Sequence, residues 1–460
     1  MGNGRFLKGV HLARKSRAFI AFGLAAMAVF GAGGVEAQTI SEFRLRGPGG
    51  ANDEYVRVSN ETTTPITVVA SSGTGWAIAA SDGVVRCTIP NGTVLPAGGS
   101  FLCANSGAFS LAANPSGSPD ATFTTDIVDN AGIALFNNDT GGGSFTLANR
   151  MDAVGSTSEA NTLYREGAGY SALTPFSIDY ALTRDRCGKQ GSITSFAACT
   201  SPGRAMDTGN NSTDFIFVDT NGTSAGAGQR LGAPGPSNLA APVAAGAPFS
   251  NALIDSCSAL NASPNLVTDP TSTPAQNSTF GTLDIRRTFT NTSGQPITRL
   301  RFRVIDLTTF PAPAGIADLR PRTSSDLVVT VDRAPCGAGT TNITVFGTTL
   351  DQPPSQPNGG GFNTTLSVPS VTVGTPLAPG ASIDVRFLLG VQQSGASRFA
   401  VVAEGFPAGG GIFEFCDGAG CAAPTVPAPV PTMTEWAMFL FGLILAGGAA
   451  LLIQRRRLIA

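Results

Sequence analysis

Asp139 and Asp207 each begin an Asp-Thr-Gly tripeptide, the one repeated pattern in this chain that suggests acid–base chemistry. Two aspartates that share a proton can activate water when each carboxylate lies at the end of an apolar strand. Here Asn137 and Asn138 precede the first tripeptide, and Asn210 follows the second. Because Asn and Gly are turn residues, we interpret both tripeptides as turns. A carboxylate-based hydrolase stays as a minor alternative.

The chain contains a single histidine, His11, in a segment that we expect to be removed. The mature protein would then lack imidazole, which excludes Ser-His-Asp and Cys-His catalysis and every metal site that uses histidine. Residues 219–222, Asp-Thr-Asn-Gly, begin like a calcium loop, but the later acidic ligands are missing and a turn is the better interpretation. We therefore predict no catalytic residue, no cofactor and no metal, and expect that the protein is not an enzyme.

All eight cysteines lie beyond residue 37, in the part that we expect to be exported. An even number of cysteines in an exported chain favours disulfides, and the sequence has no Cys-x-x-Cys pair that would favour zinc. The sequence alone permits many pairings. Proximity along the chain favours Cys87–Cys103, Cys187–Cys199, Cys257–Cys336 and Cys416–Cys421.

The first 37 residues have the pattern of a secretory signal peptide. Basic residues between Arg5 and Arg17 precede a low-polarity run over Ala18–Ala32, and residues 35–37 provide a site that a signal peptidase can read. A basic region, an apolar run and such a site are typical of secretory signals. We predict a signal helix at 1–37 that is cleaved after export.

The other end has the pattern of one membrane-spanning segment. Residues 436–453 form an uncharged run of 18 residues, which as a helix spans about 27 Å and just crosses a bilayer. The basic tail at 454–460 predicts a cytoplasmic C-terminus, so the body of the chain lies outside the inner membrane. The Pro-rich stretch at 423–435 predicts a stiff spacer in front of the span.

These C-terminal residues resemble the IPTL-CTERM sorting signal, a relative of PEP-CTERM. The family pattern runs Ile-Pro-Thr-Leu-Ser-Glu-Trp, where this chain reads Val-Pro-Thr-Met-Thr-Glu-Trp at 430–436. The resemblance implies recognition by an exosortase-type transpeptidase of an exopolysaccharide-producing Gram-negative bacterium, which would cut near the motif. The alternative is an ordinary anchor that is never processed. The residues assigned to sorting are Val430, Pro431, Thr432, Met433, Glu435, Trp436, Arg455, Arg456 and Arg457.

The expected mature body is acidic. Without the signal peptide and the sorting segment it carries 21 Lys and Arg against 29 Asp and Glu, a net charge near −8. Such a balance argues against nucleic acid as a partner.

Short strand patterns separated by Gly, Pro and Asn run through residues 38–240, at the spacing typical of a β-sandwich. Landmarks among them resemble the lamin-tail domain, an immunoglobulin-like sandwich also found in bacterial surface proteins. The resemblance implies a non-catalytic binding or spacing module, in which we expect Tyr55 and Trp76 to be core residues. The matching pieces are residues 40–43, 53–56, 75–76, 95–99, 132–135 and 151–154.

A second β-sandwich is predicted at 251–422, after an Ala/Pro/Gly-rich linker at 241–250. Residues 299–304 alternate between arginine and apolar side chains, which predicts a strand with one buried and one solvated face. Arg299, Arg301 and Arg303 would then form a basic stripe on that face. Guanidinium groups pair with carboxylate or sulfate in a bidentate way, so this stripe is the candidate site for an anionic exopolysaccharide.

Together these patterns predict an all-β protein of two immunoglobulin-like β-sandwich domains in tandem, plus an N-terminal signal helix and a C-terminal transmembrane helix. Charged residues make up only 13% of the chain, and Gly and Pro are abundant, which favours many short strands over a helical bundle. The expected function is that of a non-enzymatic surface or extracellular-matrix protein. The alternative is an adhesin or an anionic-polysaccharide-binding protein.

Overall fold

A computed structural model describes residues 38–222, 228–243, 249–351 and 358–407 of the chain. The described residues are β-strands and turns with one single-turn helix and three short 3-10 segments, which confirms the expected all-β class. In these ranges no helix is both long and apolar enough to cross a membrane. Four expected features lie outside the described residues: the signal peptide at 1–37, the Cys416–Cys421 pair, the spacer and sorting motif at 423–435, and the span and basic tail at 436–460.

The N-terminal sheet pair consists of one seven-stranded and one four-stranded sheet. The seven strands follow the order β13-β12-β11-β1-β2-β7-β8 and the four follow β10-β9-β4-β5, whereas β3 and β6 pair only with each other. The strands are β1 Gln38–Arg44, β2 Tyr55–Asn60, β3 Ile66–Thr67, β4 Gly75–Ala80, β5 Val85–Pro90, β6 Val94–Leu95, β7 Ser100–Asn105, β8 Ala121–Phe123, β9 Ile133–Phe136, β10 Arg150–Val154, β11 Tyr180–Arg184, β12 Phe215–Asp219 and β13 Arg230–Leu231, with helix α1 at Asn211–Asp214 before β12.

The C-terminal sheet pair consists of one five-stranded and one four-stranded sheet. The order is β14-β16-β23-β18 with β15 beside β16 in the first, and β21-β22-β17-β24 in the second, while β19 and β20 form a separate hairpin. The strands are β14 Phe249–Leu253, β15 Leu266–Asp269, β16 Thr282–Asn291, β17 Ile297–Leu307, β18 Asp318–Arg322, β19 Leu327–Asp332, β20 Thr340–Val345, β21 Thr349–Asp351, β22 Thr365–Ser367, β23 Ser382–Gln393 and β24 Phe399–Pro407.

Each sheet pair encloses its own hydrophobic core. In the N-terminal pair, Phe43 of β1 and Trp76 of β4 belong to one buried cluster that both sheets share, and Tyr55 is buried in a smaller cluster. The expectation that Trp76 and Tyr55 are core residues is therefore confirmed. In the C-terminal pair, the apolar residues of β17 and β23 face each other because side chains alternate along a strand.

The described residues contain three disulfides, and each is a pairing that proximity along the chain favoured. Cys87–Cys103 joins β5 of one sheet to β7 of the other and so fastens the two layers of the N-terminal pair. Cys187–Cys199 closes a short loop after β11. Cys257–Cys336 closes a span of 79 residues. Each such crosslink contributes roughly 2–4 kcal/mol, mainly by restricting the unfolded chain.

The two sheet pairs are packed against each other within one compact unit. Phe362 of the C-terminal half is buried with Ile216 and Val218 of β12. The described part of the expected linker, 241–243, is packed as well, because Val243 and Gly405 of β24 exchange two backbone hydrogen bonds of 2.9 Å.

Phe302 of β17 is the central ring of the C-terminal core and is fully buried. Its ring centroid lies 4.5 Å from that of Phe289 and 4.9 Å from that of Phe387. We expect Phe302→Ala to lower the free energy of unfolding by about 3–5 kcal/mol because it leaves a cavity among these rings. Urea unfolding of the purified full chain measures this change.

Val373→Ala is the control, since Val373 is 81% exposed. It should change the unfolding free energy by less than about 0.5 kcal/mol. Equal losses in the two variants would show that the Phe302 ring is not part of a packed core.

Candidate functional site

The structure places the predicted arginine stripe on β17, but not on a solvated face. Arg301 is 5% exposed and Arg303 is 2% exposed. The expectation of an exposed stripe is therefore wrong for these two residues. The predicted alternation of side chains along β17 is confirmed, because Leu300 and Phe302 are buried in the C-terminal core. The other face is covered as well, so both faces of β17 are buried.

Glu404 is the counter-charge of both buried arginines. It stands directly opposite Arg301 in the antiparallel pairing of β17 with β24. Nε of Arg301 donates to one carboxylate oxygen at 2.5 Å, and Nε of Arg303 donates to the other at 2.6 Å. Buried charges require such direct partners because their removal from water is costly.

The charges in this group shift each other's pKa values. Burial by itself would raise the pKa of the Glu404 carboxyl, but Arg301 and Arg303 outweigh burial and lower the pKa to about 2. Burial lowers the pKa of Arg301, whereas Glu404 raises that of Arg303 against the effect of burial. Glu404 is therefore ionised at neutral pH, and the pair of arginines depends on its charge.

The same network reaches into the N-terminal sheet pair. The side-chain amide of Asn363 donates to Glu42 of β1 at 3.1 Å, and its oxygen accepts from Arg303 at 2.8 Å. Glu42 also pairs with Arg57 of β2 at 3.0 Å and accepts from the Tyr55 hydroxyl at 2.5 Å. A continuous chain of charge-assisted hydrogen bonds thus links β1 and β2 to β17 and β24.

A small cleft opens along this network and is the candidate binding site of the molecule. It opens to solvent and is lined by Arg57, Arg186, Arg301 and Arg303, with Glu404 as the one carboxylate in its lining. Glu42 and Glu61 face Arg57 and Arg186 from outside the lining. Asp351 is a further carboxylate that interacts with Arg301 and Arg303, so four guanidinium groups face four carboxylates and the local charges balance.

Two observations describe the guanidinium groups that line the cleft. Burial, reinforced by the neighbouring Arg186 and Arg303, lowers the pKa of Arg57 to about 10. The Nε of Arg186 is buried without a hydrogen-bond partner among the described residues. A carboxylate or sulfate group is the ligand that such guanidinium groups bind best.

Arg299, the third residue of the predicted stripe, is partly exposed and separate from this cleft. Its guanidinium lies 4.7 Å from the ring centroid of Phe406, a cation–π arrangement. Arg286 is paired with Asp284 at 2.7 Å. Arg286 is therefore neutralised locally and Arg299 is stacked on a ring, and neither lines the cleft.

The two Asp-Thr-Gly aspartates have different environments. Asp139 accepts hydrogen bonds from the backbone and hydroxyl of Thr74 in a turn near the surface. Asp207 lies 3.2 Å from buried Arg184, beside Asp152. The sequence pattern gave no signal for this second grouping, because its members come from separate loops and strands.

Comparison with protein-family models, with curated proteins and with solved structures found no match to this chain.

Glu404→Gln should lower the free energy of unfolding by about 3–5 kcal/mol at pH 7, because it removes the counter-charge in direct contact with two buried guanidinium groups. The pKa of Glu404 is lower in the folded chain, about 2, than its ordinary value of 4.5. Its contribution is complete above pH 4.5 and is lost as the pH falls towards 2. The difference between variant and wild type, measured by urea unfolding, should shrink over that pH range.

Asp129→Asn is the matched control, since Asp129 pairs with Arg46 at 2.7 Å but both side chains are partly exposed. Its cost should stay below about 1 kcal/mol. A Glu404→Gln cost no larger than that of the control would contradict a role for Glu404 as the counter-charge of Arg301 and Arg303.

Proposed function

We propose that this protein is a non-enzymatic, exported surface or extracellular-matrix protein of an exopolysaccharide-producing Gram-negative bacterium. It would be held in the inner membrane by its C-terminal segment until an exosortase-type transpeptidase processes it. In this proposal the folded body acts as a spacing or binding module outside the cell and not as a catalyst.

The observation that carries this proposal is the state of the cysteines. Every cysteine in the described residues is part of a disulfide, and none is free. Reducing compartments keep thiols reduced, so a set of structural disulfides is typical of proteins that fold after export. The pairing supports a location outside the cytoplasm independently of the terminal sequence patterns.

The sequences of the two ends support the sorting step. The pattern at 1–37 is typical of a cleaved signal peptide, and the resemblance to IPTL-CTERM at 430–436 is followed by an apolar run and three arginines in the right order. For the body, the proposal is two immunoglobulin-like sandwiches in tandem, the first similar to a lamin-tail domain. The presence of a separate core in each sheet pair supports that division.

The arginine-lined cleft favours a second candidate function, the binding of an anionic polysaccharide. In this candidate the contacts come from the cleft, and Arg186 is the residue with bonding capacity to spare. A single uronate carboxylate or sulfate group would suit the guanidinium group of Arg186. The acidic balance of the whole chain would then confine binding to this place.

The processing step predicts a defined product. Intact mass spectrometry of the protein extracted from the cell surface should give a species that begins near residue 38 and ends near residue 430. The physical reason is that the transpeptidase cuts close to the motif, on the outer side of the apolar run. A surface species that retains Arg455–Arg457 would reject sorting.

The second candidate predicts that Arg186→Ala weakens binding to a polyuronate such as alginate about tenfold or more, as expected for loss of one charge-assisted contact. Binding is measured by titration calorimetry at low salt. Arg299→Ala, which lies outside the cleft lining, is the control and should bind like wild type. Equal affinity of the Arg186 variant, or no binding by wild type, would remove this candidate.

A further inference from the structure

Three acidic side chains from separate elements converge in the N-terminal sheet pair. Asp152 lies on β10, Glu166 follows the 3-10 segment Thr162–Tyr164, and Asp207 lies in the loop before α1. Each carboxylate offers one oxygen, and these three oxygens all lie within 4.8 Å of one another. The Asp152 side chain is fully buried, and that of Asp207 is 3% exposed.

The charges around this group do not balance. Arg184 lies within 3.3 Å of Asp152, Asp207 and Asp214, and Arg150 pairs with Glu166 at 3.0 Å. Two guanidinium groups therefore face four carboxylates, which leaves a double negative excess when all four are ionised. Buried charge without compensation is unfavourable, so the folded state needs a further source of positive charge.

The hydrogen bonds of the carboxylate oxygens indicate where a further positive charge would bind. Asp214 is satisfied, since both of its oxygens accept hydrogen bonds from Thr208. Both oxygens of Asp152 also accept hydrogen bonds, from Arg184 and from the backbone N–H groups of Ile40 and Ala153. By contrast, Oδ2 of Asp207 and Oε2 of Glu166 are buried and accept no hydrogen bond from the described residues. Buried carboxylate oxygens normally have partners, so two such atoms on neighbouring carboxylates indicate a ligand.

We propose that Asp152, Glu166 and Asp207 bind one Ca²⁺ ion. Oxygens that lie 2.3–2.6 Å from a shared ion are at most about 5 Å apart, which the observed separations meet. Ionised carboxylates are hard donors that favour Ca²⁺ or Mg²⁺ over softer metals. Ca²⁺ is preferred because it accepts irregular oxygen geometry, and its double charge matches the excess.

Protons are the competing source of positive charge. Burial, together with repulsion from Asp152 and Asp207, raises the pKa of Glu166. Burial and the charge of Asp207 also raise the pKa of Asp152, against the effect of Arg184. Protonation would quench the repulsion but would give no specific response to Ca²⁺. The calcium proposal does not depend on export, because both alternatives concern the folded body alone.

The experiment is a titration of CaCl₂ into the purified full chain after treatment with EDTA. We expect one Ca²⁺ per chain by calorimetry. We also expect about 10 mM CaCl₂ to raise the midpoint of thermal unfolding by about 5 °C over NaCl of equal ionic strength. Absence of binding, or an equal rise with MgCl₂, would overturn the proposal.

Two isosteric variants separate the calcium proposal from a purely structural role. Asp207→Asn and Glu166→Gln should unfold in EDTA at or above the wild-type temperature, because each removes repulsion, and should lose the response to Ca²⁺. Asp139→Asn changes the other Asp-Thr-Gly aspartate, which belongs to a different turn, and should keep that response. Retention of the calcium shift in both isosteric variants would assign the ion to another place and reject this site.

Discussion

The ion pair that Glu404 makes with Arg301 and Arg303 is the interaction on which the junction of this molecule depends. One carboxylate on β24 neutralises two guanidinium groups on β17, and through Asn363 the same network meets Glu42 of the N-terminal half. Without that carboxylate the outer face of β17 would need solvent. With it, β17 is buried on both faces and the two sheet pairs form one body.

Charge, and not apolar area alone, therefore organises the interior. The N-terminal half also contains a buried ion-pair group, at Arg184, where three aspartates surround one guanidinium group. The two sites differ in their balance, since the charges around the Glu404 cleft are matched, whereas the Asp207 group has a surplus of negative charge. That surplus defines the sign of the ion that we infer for the Asp207 group.

The sequence predicted the strands better than it predicted their surroundings. The alternation at 299–304 identified β17 because the period of two is a local property of the chain. It did not reveal that a second layer covers the arginine face, since Glu404 lies about a hundred residues further along. The pairings Cys87–Cys103 and Cys187–Cys199 were predictable because each closes a short loop of 16 or 12 residues, whereas Cys257–Cys336 closes a span of 79. The Asp152–Glu166–Asp207 group was not, because only the tertiary fold brings its three members together.

The antiparallel pairing of β24 with β17 also has a mechanical consequence. β24 is the last strand of the described chain, and it is hydrogen-bonded along β17 from Phe399 to Pro407. Tension applied at Pro407 acts on this strand directly. The load then meets the ladder of hydrogen bonds between β24 and β17, which Glu404 reinforces, so this end of the described fold should resist pulling.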